Sequence, residues 1–214
     1  RNEDWRCTYE GTSTSRVSAT GTVDCAASNG GDAYENALLD MIAWAEVSCS
    51  GTYGGDNNGY DVIYGCDTFD IDECDEGHPY AKAPATYTAS GRYQFIRSTY
   101  RSLTSKGLFD DDNFCPDAQD EAGIYLVEEV RDVSSRDIRD AALTEEYSDE
   151  WQDIFDKLAP EWASLPMSED ACESNDACTD CGDAKDNGCY GQGARDGADL
   201  VEVFNTCLKA HQEE

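Results

Sequence analysis

Apolar positions recur at helical spacing in several stretches of this chain, and each is bounded by polar start and stop signals. "DAYE" at residues 32–35 has the form of a capping box, with Asp32 as N-cap and Glu35 reaching back. Leu38, Leu39, Ile42, Ala43 and Ala45 then follow a helical period as far as Glu46. The Gly- and Asn-rich "CSGTYGGDNNGYD" stops that helix, and "YDVIYG" reads as a short strand. An irregular acidic loop occupies residues 66–90. "GRYQF" reads as another strand, and "STYRSLTSKG" as a helix closed by Gly107.

Farther along, Pro116 starts a helix that places Ala118, Ala122, Tyr125, Leu126 and Val130 on one face. Ser148 caps a helix carrying Trp151, Ile154, Phe155 and Leu158, and Pro160 and Pro166 bracket "EWASL". A last helix runs from about residue 195 to 209, with Leu200, Val203, Phe204, Cys207 and Leu208 inward. The sum is mostly helical with a little sheet near the middle, an α+β layout. Residues 1–31, rich in Thr, Ser and Gly, read as an appended segment tied by a Cys7–Cys25 bond, and residues 32–214 as the main domain.

Composition narrows the class. At 39% hydrophobic, 214 residues suffice for a real core, and no run approaches the roughly 18 apolar residues of a membrane span. Eleven cysteines with only two histidines favour disulfides over metal binding. With the charged "RNEDWRC" opening, they predict a mature secreted protein; an odd count leaves one thiol unpaired or bonded to another chain. Cys172, Cys178, Cys181 and Cys189, within a polar block at about 168–188 and just after it, are expected to form two disulfides rather than a zinc site. "DTFDIDECDEG" lacks the Glu that a calcium loop needs, so no metal and no cofactor are expected. The formal net charge of −31 makes nucleic acid and anionic membranes poor partners, and a monomer is expected.

Within "MIAWAEVSC", Glu46 shares a stripe with Leu39, Ile42 and Ala43 in the last turn of its helix. Desolvation and the negative end of the helix dipole both disfavour its charge, so its pKa should be raised. A carboxyl that keeps its proton near neutrality is what general-acid cleavage of an acetal requires.

The order "ALLDMIAWAEV", "GYDVIYG", "HP", "SGRYQF", "DIRDA", "EWASLP", "YGQ" resembles the phage lambda lysozyme (endolysin) family of peptidoglycan lytic transglycosylases. The likeness runs from about residue 35 to 210 and omits both the N-terminal segment and the Cys-rich block, which looks like an insertion. It implies a lysozyme-like fold with a cleft between a small sheet-bearing part and a helical part. It also implies cleavage of the β-1,4 bond between N-acetylmuramic acid and N-acetylglucosamine in bacterial cell-wall peptidoglycan. In the W-x-E stretch of that family the Glu is the catalytic acid, which here is Glu46. Gln94 and Tyr190 match motifs lining the family's cleft, and Tyr60, Tyr93 and Gln192 are further candidates for sugar binding. His78 is expected to hold a turn. Where lambda-type sequences continue with Gly, this chain has Val47, Ser48 and Cys49. That departure leaves open an anhydro or a hydrolysed product. If water attacks, Asp56, Asp61 or Asp67 is the expected second carboxylate; a glycan-binding protein without activity is the remaining alternative.

Overall fold

The computed structural model describes residues 25–27, 32–49, 52–53, 57–82, 85–109, 113–178, 181, 189–190 and 194–213. The expected hairpin and Cys7 in the N-terminal segment, together with Asp56 and Gln192, lie outside them.

Helix α1, Ala33–Val47, is the central element. Its start is capped as the sequence predicts: Tyr34 N donates to Asp32 Oδ1 at 2.7 Å, and Asp32 N donates to Glu35 Oε2 at 3.4 Å. Nine of its 15 residues are buried, so it is enclosed on most sides rather than lying as an amphipathic surface helix. Leu38, Leu39, Met41 and Ile42 are fully sealed, each contributing about 1.5–3 kcal/mol by burial. Directly after α1, β1 (Ser48–Cys49) pairs antiparallel with β2 (Thr52–Tyr53), and β3 (Val62–Ile63) pairs with β4 (Asp67–Thr68). A 3-10 turn at Ile71–Glu76 carries the exposed acidic loop, tied back by a Cys74–Cys115 disulfide.

The helical part then follows as α2 (Arg97–Ser105), α3 (Pro116–Tyr125), α4 (Ser135–Ala142), α5 (Asp149–Leu158), α6 (Glu169–Ser174) and α7 (Gly197–Glu213). α1 packs along α7 and against α3 and α4. Trp151 of α5 meets Phe204 of α7 edge-on at 4.7 Å. Phe95, Tyr100, Phe109 and Phe114 form an aromatic cluster with His78. No helix among the described residues is long and apolar enough to cross a membrane.

Several expectations change in detail. "GRYQF" is a tight turn rather than a strand: Gly91 and Gln94 take φ of 77° and 48°, and only isolated bridges join Ser90 to Ile63 and Phe95. The left-handed angles break the extended geometry that the apolar residues alone imply. α3 continues into a π-helical turn over Leu126–Val130, closed by Arg131 N to Leu126 O at 3.0 Å. The extra residue in that turn rotates the register, so Val127 is buried and Val130 is 41% exposed.

The disulfides also differ from the N-terminal expectation. Cys25 bonds Cys207 of α7, not Cys7, because Ala26 and Ala27 dock their amides on Asp40 of α1 and bring Cys25 beside α7. The Cys-rich block holds the two expected bonds, Cys172–Cys181 and Cys178–Cys189. Nine of the described cysteines are in disulfides: Cys25, Cys66, Cys74, Cys115, Cys172, Cys178, Cys181, Cys189 and Cys207. Cys25, Asp40 and Cys207 lie close together, but both sulfurs are consumed in the disulfide, so the trio is no metal site.

Candidate active site

Glu46 lies in the last turn of α1, and the residue after it, Val47, is fully buried. The β1–β2 hairpin follows Val47 at once. Glu46 itself is part-buried. Burial raises its pKa above the ordinary carboxylate value; hydrogen bonds from Ser164 and the positive charge of Arg195 pull it partly back down. Among the described residues no second carboxylate figures in the groups that shift it.

Two irregular segments complete the surroundings. One is the bracketed stretch after α5. Trp162 is 2% exposed and its ring N–H donates to Tyr93 O at 3.2 Å, while Leu165 N closes on Trp162 O at 3.0 Å. Between them Ser164 directs both its hydroxyl and its amide, the latter at 3.4 Å, to the same oxygen, Glu46 Oε1. The other is the approach to α7. Arg195 N donates to Ser164 O at 2.8 Å and its Nε to Ala45 O at 3.3 Å, and its guanidinium lies 5.3 Å from the centre of the Trp44 ring. Three segments far apart in sequence thus converge on one carboxyl.

The other sequence-predicted residues separate into groups. Tyr190 is 38% exposed, follows the Cys178–Cys189 bond, and donates its hydroxyl to Pro160 O at 3.0 Å. It therefore stands beside the segment that carries Ser164, with ring surface open to solvent. Gln94 spends its amide N–H groups on Gly91 O (2.9 Å) and Val62 O (3.3 Å), holding the "GRYQ" turn.

Tyr60 and Tyr93 are corrected: they are interior residues, 6% and 1% exposed, and both donate their hydroxyls to the buried Asp120, at 2.9 and 2.6 Å. Rings sealed in the core cannot pack on a sugar face. Burial, first, and the neighbouring Asp120 keep both phenols protonated far above neutrality. His78 holds a turn as expected: Nε2 pairs with Phe95 O at 2.9 Å, Nδ1 accepts from Tyr80 N at 3.1 Å, and burial lowers its pKa.

Of the alternative carboxylates, Asp67 is exposed on β4. Asp61 is 6% exposed; its Oδ2 accepts from Asn57 Nδ2 at 2.6 Å, and Oδ1 has no partner among the described residues.

Ser164 and Arg195 were not among the sequence candidates. Ser164 lay in plain view inside "EWASLP", and Arg195 just after "YGQGA". The signal for the first was the pair of prolines that fixes its loop; nothing local marks the second.

The endolysin of Escherichia phage lambda is 31% identical over 138 residues, covering 61% of this chain and 75% of that protein. The solved structure of bacteriophage lambda lysozyme complexed with a chitohexasaccharide superposes with a TM-score of 0.56 at 25% identity, covering 83% of this chain and 95% of that one. The lysozyme-like fold is thereby established. The sequence model described as Endolysin matches residues 36–179, which span Glu46, Ser164 and most of the helical part, and this chain belongs to that family.

Proposed function

We propose that this member of the endolysin family, a peptidoglycan glycosidase, cleaves between N-acetylmuramic acid and N-acetylglucosamine by lytic transglycosylation, with Glu46 as both acid and base. The observation that carries this reading is a part-buried carboxyl with a raised pKa, bonded by Ser164 and facing Arg195, with no second acid among the described groups that shift it. A hydrolase ordinarily needs two carboxyl groups; one suffices when the substrate supplies its own nucleophile.

Protonated Glu46 donates to the glycosidic oxygen as the bond to the muramic anomeric carbon breaks. The resulting carboxylate takes the proton of the muramic 6-hydroxyl, whose oxygen bonds to that carbon. The product is a 1,6-anhydro sugar, Glu46 ends protonated, and no water is consumed. Tyr190 offers the exposed ring surface suited to a pyranose face, and the chitohexasaccharide complex of bacteriophage lambda lysozyme supports a glycan ligand. Gln94 retains only its carbonyl oxygen for a sugar. A secreted protein fits the disulfides formed by nine of the described cysteines.

The test is Glu46→Gln, which keeps the shape but removes the acidic proton. Lysis of purified cell walls should fall at least about 100-fold; wild-type-like lysis sinks the assignment. Mass spectrometry of the products separates the mechanisms: fragments one water lighter mark transglycosylation. Reducing ends mark hydrolysis.

A further inference from the structure

Every hydrogen bond that Ser164 makes to Glu46 lands on Oε1. An amide N–H can only donate, so the oxygen it faces is held as an acceptor. We propose that Ser164 is a positioning residue for the reaction: it pins Glu46 Oε1 with its hydroxyl and amide, so that the working proton is carried on Oε2. This rests on the reading of Glu46 as the acid and adds to it which oxygen acts and what holds it there.

Ser164 is itself immobilised from both sides. Its carbonyl accepts from Arg195 N, the next residue Leu165 is fully buried, and Trp162 is locked to Tyr93 O. Such a donor is preorganised, and no reorientation is needed as charge develops. The opposing forces on Glu46 then have separate tasks. Burial keeps the proton on before the substrate is cut, whereas the two Ser164 donors favour the carboxylate that exists after the proton leaves. The proton passes from Oε2 to the glycosidic oxygen, and the muramic 6-hydroxyl proton returns to Oε2. Oε1 stays bonded to Ser164 throughout, so the carboxyl keeps its orientation between the two transfers.

The experiment measures kcat, KM and the pH profile of cell-wall lysis for Ser164→Ala and Ser164→Thr beside wild type and Glu46→Gln. Ser164→Ala should lower kcat about 10- to 100-fold with KM within about twofold, and its alkaline limb should move to higher pH because a donor favouring the carboxylate is gone. Ser164→Thr, which retains the hydroxyl, should restore both. Should the Ala variant fail to fold, Ser164→Val against Ser164→Thr, equal in shape but differing in the hydroxyl, gives the same reading. An alkaline limb that stays in place when the hydroxyl is removed overturns the proposal, whatever happens to kcat, since a purely structural loss leaves that limb alone. Lysis surviving Glu46→Gln points instead to failure of the Glu46 assignment itself.

Discussion

Asp40 on α1 and Arg92 in the "GRYQF" turn form a 2.5 Å ion pair with both side chains completely buried. The same carboxylate accepts from the amides of Ala26 and Ala27 and pairs with His211 Nε2 at 2.7 Å. One acid thus joins the N-terminal segment, the central helix, the turn and the last helix. Breaking it by Asp40→Ala should cost about 3–5 kcal/mol, because the buried Arg92 charge loses its carboxylate partner. Urea unfolding reads this directly; a loss under about 1 kcal/mol would mean that the pair contributes little.

Tyr93→Phe separates the interior role from sugar binding. Removing the hydroxyl deprives buried Asp120 of a donor at 2.6 Å, and stability should fall by about 1–3 kcal/mol. KM for cell walls should not change. A raised KM with unchanged stability would return Tyr93 to the cleft.

Gly91 has φ of 77°, and a Cβ there would lie 2.2 Å from Gln119 Oε1. That oxygen accepts from Arg92 N, and the same amide donates to Tyr60 O and Phe114 O. Gly91→Ala should therefore cost about 2 kcal/mol or more, by adding backbone strain and displacing a satisfied buried amide. Thermal unfolding of the variant checks it.

The raised pKa of Glu46 also links stability to pH. The folded protein holds this proton more tightly than the unfolded chain, whose carboxyl titrates near 4.5. Its contribution is fully present below that value and is lost as pH rises through the folded pKa. Glu46→Gln, neutral throughout, should melt at a higher temperature than wild type at neutral pH, with the gap closing toward about pH 4. Equal melting temperatures at neutral pH would contradict this, as would a gap that widens in acid.

The charge of −31 sets the response to salt. Peptidoglycan is largely anionic, and the Debye length shortens from about 30 Å at 0.01 M to about 8 Å at 0.15 M. Lysis should rise several-fold across that range. Turbidity clearing that is fastest without salt would contradict it.

Much of this architecture was legible along the chain because it depends on neighbours in sequence. The Asp32 cap, the stripe leading to Glu46 and the inward faces of α5 and α7 are period and capping signals. "GRYQF" misled because its apolar content is strand-like while its backbone obeys Gly91 and the buried Gln119. Tyr60 and Tyr93 misled for a related reason: a tyrosine suits a sugar cleft and a buried hydroxyl network equally well, and only Asp120, 60 and 27 positions away, decides between them. The partners of Glu46 come from positions 118 and about 150 residues downstream, a distance no local pattern spans.

The bond between Cys25 and Cys207 joins positions 182 apart. A protease that severs the backbone once anywhere in that interval does not release a fragment, because the two pieces remain one covalent molecule. With the helical contacts still in place, the segments around Glu46 would stay together. Such a protein loses its integrity by reduction or repeated cutting rather than by its first wound.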